Sequence, residues 1–221
     1  MNAEGDFTLR FRHILLSTAL VLQLGDAVAN ARPVSNVRVQ LIICLSNEAG
    51  VSPKTVLEVE SRVTELFQES AIEVRWINFG PSPMGSLKAG SCKRLSYPDQ
   101  LLVHWIPQAK TVPIDVLGEA FLDQQDTGVI ADLFLDHVRA VESQTNVGFT
   151  SLLSYATAHE IAHLLLGANS HSTRGIMQGH FFERDLMAVR RGSLTFERVE
   201  ELRMHARLLG DLLQPLQING R

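Results

Sequence analysis

The sequence predicts an α+β fold built on a mixed five-stranded sheet with one antiparallel edge strand. Two observations lead to this prediction. Apolar, β-rich runs alternate with a helical pattern early in the chain, and two later strand-like runs are joined by a short polar reversal. The 221 residues, of which 45% are hydrophobic, suffice for one domain with a sizeable core.

The N-terminal region has the pattern of a targeting segment. Arg10 and Arg12 precede an apolar run over 14–24, and Ala29-Asn30-Ala31 supplies the small residues that a signal peptidase requires. The alternative, a membrane anchor, is disfavoured because the run is too short for a bilayer core of about 30 Å. We therefore expect a signal peptide over 1–31, a single domain over 32–221, and a secreted or periplasmic protein without a stable membrane anchor.

Export would place Cys44 and Cys92 in an oxidising compartment, where they could form a disulfide. The alternative is that Cys44, which lies inside an apolar run, is a buried free thiol. The sequence leaves both open. A net charge of −4 without a charged tail argues against a nucleic-acid partner, and we expect a monomer.

The first part of the mature chain predicts a strand, a helix and a second strand. The strand covers 37–45 and is followed by a turn at 47–53. Pro53 suits the first turn of a helix that runs to about Ser70 with apolar residues at helical spacing. The second strand covers 72–79, and such a close succession implies a right-handed crossover and a parallel pair.

Three more strands are predicted after a surface loop over 80–100. They cover 101–106, 117–122 and 129–135. The polar segment 123–128 suits a hairpin-like reversal between the last two, so one of them is expected to lie antiparallel at an edge.

Two helices are predicted in the remaining sequence. The segment 149–166 lacks Gly and Pro and is apolar on more than one side, as expected of a helix packed under a sheet, and Gly167 ends it. A last helix covers about 195–209. Its apolar face is predicted to carry Phe196, Val199, Leu202 and Leu208 or Leu209, and its solvated face Glu197, Glu200, Arg203 and His205.

The segment His159-Glu160-Ile161-Ala162-His163 has the H-E-x-x-H pattern and falls in the long helix. Residues four apart lie on one face, so both imidazoles can bind one ion. Glu160 lies beside the ligands, where it can hold a metal-bound water. A pattern with only three fixed residues also arises by chance, so the residues around it decide whether it indicates a metal site.

The residues after the helix extend this pattern. Gly167 can adopt the left-handed conformation that ends a helix, and the short segment that follows can return His171 to the metal as a third ligand. Three histidines with the fourth position left to water form a catalytic zinc site. Gly175-Ile176-Met177 could form a tight turn that brings Met177 beneath the site, although Met177 could equally be a core filler.

Taken together, these residues resemble the metzincin clan of zinc peptidases, most nearly its matrixin-like members. The matching residues are His159, Glu160, His163, the glycine turn Gly167, His171 with Ser172 after it, and Met177 as the methionine turn. The resemblance implies a metzincin-type zincin fold with an active-site helix, and 32–221 as the catalytic domain. It also implies a secreted zinc-dependent endopeptidase with one catalytic Zn²⁺.

The spacing of the motif departs from the clan's usual H-E-x-x-H-x-x-G-x-x-H. This chain has one more residue before the glycine and another after it. An added helical residue rotates the exit of the chain by about 100°. His180 therefore remains an alternative third ligand, although its place beyond Met177 favours His171.

The resemblance also implies a mechanism and a partner. Zinc would lower the pKa of its water toward 7, and Glu160, as general base, would take the proton and pass it to the departing amine. The partner would be a peptide or protein substrate lying along the edge strand 117–122 through backbone groups.

Two other functions compete with the endopeptidase. A catalytically silent zinc-binding secreted module is disfavoured because a structural site does not need Glu160. An amidase acting on a non-protein or cell-wall peptide could use the same site. His104 and His137 each stand alone in or beside a strand and are interpreted as structural or surface residues.

Overall fold

The computed structural model describes residues 9–10, 38–79, 92 and 95–212. The expected signal peptide lies outside these residues except for Leu9 and Arg10. The strands are β1 (Leu9–Arg10), β2 (Val39–Asn47), β3 (Ile72–Phe79), β4 (Gln100–Ile106), β5 (Gly118–Phe121), β6 (Ile130–Phe134) and β7 (His180–Phe181). The helices are α1 (Pro53–Glu69), α2 (Leu135–Gln144), α3 (Phe149–Leu166), α4 (Glu183–Arg191) and α5 (Arg198–Leu212).

The main sheet confirms the predicted fold class. Its five strands lie in the order β3-β2-β4-β6-β5. The pairs β2–β3, β2–β4 and β4–β6 are parallel, and β5 pairs antiparallel with β6 at the edge. Separately, β1 pairs antiparallel with β7.

The crossover from β2 to β3 through α1 is also confirmed. The hydroxyl of Ser52 accepts a hydrogen bond from the Thr55 N–H at 3.2 Å, and Pro53 follows this cap as the first helical residue. The strand β2 begins and ends two residues later than predicted, because its pairing with β3 starts at Val39 and its pairing with β4 continues as far as Asn47 opposite Trp105.

The two faces of β2 belong to different layers. Leu41, Ile43 and Leu45 point into the main core with α1 and α3, whereas Cys44 points to the opposite face. There Cys44 forms a disulfide with Cys92, with an S–S distance of 2.03 Å. The alternative of a free buried thiol therefore does not hold in this structure.

Helix α3 lies at the centre of the described structure. All residues from Leu152 to Leu166 are buried, and the helix packs against α1, α2, α5 and strands β4 to β6. This burial explains why its sequence has no polar face. Among the described residues, no helix is long and apolar enough to cross a membrane.

The structure corrects the prediction of which residues of the final helix are buried. Glu200 and His205, expected in solvent, are only 3% and 5% exposed, whereas Val199, expected in the core, is 57% exposed. Glu200 lies four residues before Met204 and eight before Leu208, which are both buried, so it shares their stripe. Its carboxylate accepts the Glu197 N–H at 2.7 Å and so caps the start of α5.

Candidate metal centre

Three histidines converge where α3 meets the chain that follows it. His159 and His163 lie one turn apart on α3, and their Nε2 atoms are 2.9 Å apart. The Nε2 of His171 lies 3.1 Å from that of His163. Among the described residues, these three side chains form the one group that could hold a metal ion, with ligand atoms within 4.8 Å of one another.

The chain leaves α3 at Gly167, as predicted, but in a different conformation. The φ of +86° is positive, whereas the ψ of −175° lies outside the left-handed helical region, in a region that essentially only glycine occupies. A Cβ at this position would lie 2.9 Å from the Cβ of Asp126 in the β5–β6 connection. The exit therefore packs against that connection on the way to His171.

The ring of His159 is oriented by the backbone after the third histidine. Its Nδ1 lies 2.7 Å from the carbonyl oxygen of Ile176. A carbonyl only accepts, so Nδ1 carries the proton and Nε2 presents its lone pair to the other histidines. The Nδ1 of His163 instead lies 2.8 Å from the hydroxyl of Ser170.

The ring of His171 lies against Gly179, a residue that the sequence motif did not identify. A Cβ at Gly179 would be 2.9 Å from the Nδ1 of His171, so any larger residue would press on the ring. The neighbouring His180, the alternative ligand, is exposed on β7 and outside the cluster. The structure thus brings His171, and not His180, to His159 and His163.

Met177 lies in a turn that closes beside the third histidine. The Gln178 N–H donates to the Gly175 carbonyl at 3.4 Å, and the Ser172 N–H donates to the Met177 carbonyl at 2.9 Å. The Met177 side chain is fully buried. The turn is therefore tied to the residue after His171, while its role beneath a metal stays a prediction.

Glu160 is fully buried between α3 and the edge strand. Its Cγ lies 2.7 Å from where a Cβ would stand at Gly118, and neither carboxylate oxygen has a hydrogen-bond partner in the described part of the chain. Burial, followed by the negative charges of Glu119 and Asp132, raises the pKa of Glu160 well above its usual value. The backbone N–H of Ala120, which does not meet hydrogen-bond geometry with the carboxylate, offsets this rise in pKa only in part.

His104 and His137, which were interpreted as structural or surface residues, lie apart from the three-histidine cluster. The Nδ1 of His104 is 3.0 Å from an oxygen of Asp132, and the Nδ1 of buried His137 is 2.6 Å from the Val116 carbonyl oxygen. Both rings thus contact structural partners in or beside the sheet. This placement agrees with their interpretation as non-catalytic residues.

The three-histidine cluster suits a zinc ion. A tetrahedral ion with Zn–N bonds of about 2.0–2.1 Å holds two ligand nitrogens about 3.3–3.4 Å apart. The two short Nε2 separations, 2.9 and 3.1 Å, are close to that value. Imidazole nitrogens are ligands that zinc prefers, and a cation would offset the repulsion among lone pairs that point at one another.

Comparisons with known proteins give distant likenesses of the fold. No protein-family model matches the sequence, and no curated protein matches it. Archaemetzincin from Methanopyrus kandleri has a similar fold, with a TM-score of 0.49 and 15% identity over 80% of this chain and 98% of that chain. Metalloproteinase-II from Bacteroides fragilis has a TM-score of 0.47 and 16% identity over 79% of this chain and 54% of that chain. Both are too distant to indicate a function, which we infer from the chain's own residues.

Proposed function

We propose that this chain is a zinc-dependent peptidase in which His159, His163 and His171 hold one catalytic Zn²⁺. The convergence of their three Nε2 atoms is the observation that carries the proposal. No fourth His, Cys, Asp or Glu joins this group within the described residues. Structural zinc sites close all four positions with protein ligands, whereas catalytic sites leave one position to water or substrate.

Glu160 is the proposed general base. A zinc ion in the site would acidify a water molecule and polarise the scissile carbonyl. The Glu160 carboxylate would accept the proton released during attack and deliver it to the departing amine.

The edge strand β5 is the proposed docking site for the substrate. Its outer edge has no strand partner among the described residues, so its backbone can pair with an extended peptide. Glu160 packs against Gly118 at the start of this strand. A peptide paired with β5 would therefore lie next to the proposed base, which favours a peptide or protein substrate.

Secretion is part of the proposal. The disulfide between Cys44 and Cys92 supports it, because disulfides persist in oxidising compartments. Expression of the full chain in a host with a secretory pathway should yield an exported form that begins after Ala31. Retention of 1–31 in that form would contradict the proposed signal peptide.

The peptidase proposal is tested with Glu160→Gln, which removes the base while preserving the shape of the side chain. We expect cleavage of an unfolded protein substrate to fall by at least about 10²-fold, with zinc content unchanged. Glu73→Gln, at an exposed position of β3, serves as the matched control and should cut normally.

Equal cutting by wild type and Glu160→Gln would contradict the assignment of the base. A zinc-loaded wild type that cuts no unfolded protein would contradict the peptidase proposal. A panel of non-protein amides and cell-wall peptides would then separate an amidase from a silent zinc-binding module.

A further inference from the structure

We infer that Ser170 is a positioning residue for the metal site, because its hydroxyl fixes the ring of His163 in the tautomer that binds metal. This inference rests on the proposed function, since it concerns the same site. Ser170 lies in the return from α3 to His171 and is buried, with 6% of its surface exposed. It is not one of the motif residues by which the site is recognised.

The hydrogen bonds of Ser170 have only one consistent direction. Its Oγ lies 2.8 Å from the carbonyl oxygen of Gly167 and 2.8 Å from the Nδ1 of His163. A carbonyl oxygen only accepts, so the single hydroxyl proton points at Gly167. The Oγ lone pairs then face His163, whose Nδ1 must carry the proton and donate it to Ser170.

The tautomer of His163 follows from this direction. With the proton on Nδ1, the neutral ring presents the lone pair of Nε2 toward His159 and His171, 2.9 and 3.1 Å away. The carbonyl of Ile176 imposes the same tautomer on His159. The chain thus orients one ligand through its backbone and the other through a hydroxyl group.

Ser170 also ties together the parts of the chain that form the site. Gly167 ends α3, His163 lies on its last turn, and His171 follows Ser170 directly. The single hydroxyl therefore links the second ligand, the helix end and the segment that carries the third ligand. Partners of this kind around metal-bound histidines typically contribute about 10–100-fold to metal affinity.

The test is the zinc affinity of the full mature chain, measured by competition with a chelator. We expect Ser170→Ala to bind zinc about 10–100-fold more weakly than wild type. Ser170→Thr keeps the hydroxyl and should bind close to wild type. Ser170→Val has the shape of the threonine variant without its hydroxyl and should be as weak as the alanine variant.

The matched control removes a different buried hydroxyl group, that of Ser154 on α3. Ser154 donates to the Thr150 carbonyl within the helix at 2.8 Å and lies more than one helical turn before His159. Ser154→Ala should therefore keep the zinc affinity of wild type. Melting temperatures of the metal-free proteins show whether each variant is folded.

A second readout concerns the proton itself. In the zinc-loaded wild type, the Nδ1 proton of His163 should exchange slowly with solvent in NMR spectra, because it is buried against Ser170. Ser170→Val should speed this exchange. Rapid exchange in wild type would overturn the inference even if no variant at position 170 folds.

The outcomes separate this inference from the proposed function. If wild type binds one zinc and the alanine and valine variants bind equally well, Ser170 is not a positioning residue but the proposed function stands. Threonine and valine variants that are equally weak would show that the hydroxyl is not responsible. A wild type that binds no zinc would overturn both proposals.

Discussion

The side chain of Glu160 packs directly against Gly118, the first residue of the edge strand β5. A Cβ at position 118 would lie 2.7 Å from the Glu160 Cγ and 2.9 Å from the backbone oxygen of Asp132. Because Gly118 has no side chain, the proposed base Glu160 can contact β5, the strand that is proposed to bind the substrate.

Gly118→Ala is therefore expected to impair catalysis more than metal binding. The added methyl must displace Glu160 or β5, while His159 and His163 keep their places on α3. We expect peptidase activity to fall by about 10²-fold or more with zinc content unchanged. Steady-state kinetics and metal analysis of the same preparation measure both quantities.

Gly148→Ala is the matched control for this change, because a Cβ at Gly148 would meet no atom within 4 Å. This variant should retain activity. Wild-type activity in Gly118→Ala would show that contact with the edge strand does not position Glu160.

Gly179→Ala is expected to weaken metal binding. Its methyl would stand 2.9 Å from the Nδ1 of His171 and push the ring out of the cluster. We expect zinc affinity to drop by about 10–100-fold, in the range found for disturbed supports of metal ligands. Chelator competition provides the measurement, and an unchanged affinity would mean that Gly179 does not set the position of His171.

The disulfide is expected to stabilise the fold without affecting the metal site. It closes a loop with a sequence separation of 48 residues, which corresponds to about 4 kcal/mol in the chain-entropy model. The paired substitution Cys44→Ser and Cys92→Ser should lower the free energy of unfolding by about that amount in denaturant titrations. Zinc content should stay the same because the disulfide lies on the sheet face opposite α3, and a loss of zinc would contradict this separation.

A pH-dependent prediction concerns Glu60 on α1. Burial raises the pKa of Glu60, and a hydrogen bond from the Asn78 side-chain amide at 2.7 Å offsets this only in part. A carboxyl group whose pKa is raised in the folded state favours folding when protonated, and this contribution is lost as pH rises above the ordinary glutamate range.

Glu60→Gln should therefore be more stable than wild type at pH 7. The difference should vanish below about pH 4, where the wild-type carboxyl is protonated in both states. Denaturant titrations across this range test the trend, with Glu73→Gln as an exposed control. A stability gap that widens toward low pH would contradict a raised pKa for Glu60.

Much of the fold was predictable because the spacing of the apolar residues agreed with the positions of the capping and turn residues along the chain. The helix from Pro53 followed from its cap and apolar spacing, and the strand Ile72–Phe79 and helix Phe149–Leu166 were predicted to the residue. The antiparallel edge followed from the polar reversal between the last two strands of the sheet. In each case local sequence and tertiary packing favoured the same structure.

Elements that depend on tertiary packing were missed. The short helices α2 and α4 and the two-residue strands β1 and β7 were not individually predicted. The predicted packed face of α5 was right at Leu208 but wrong at Val199 and Glu200. Glu200 is buried as a helix cap, whereas its spacing in the sequence indicated a solvated charge. Burial of His205 on the same helix was also missed.

The site residues also divide into those that the sequence predicted and those that were missed. The H-E-x-x-H pattern identified His159, Glu160 and His163, and the glycine exit pointed to His171. Residues that support these groups from outside the motif, Gly118, Ser170 and Gly179, have no pattern of their own. Only the folded chain shows that each touches a site residue, although the glycine two positions after Met177 was a signal that could have been noticed.

Metal analysis of the purified protein, with His171→Ala and His180→Ala alongside, tests the central claim most directly. The three-histidine site predicts about one zinc per chain in wild type, loss of that zinc in His171→Ala, and its retention in His180→Ala. A wild type without stoichiometric zinc, or a zinc that depends on His180 instead of His171, would contradict the account.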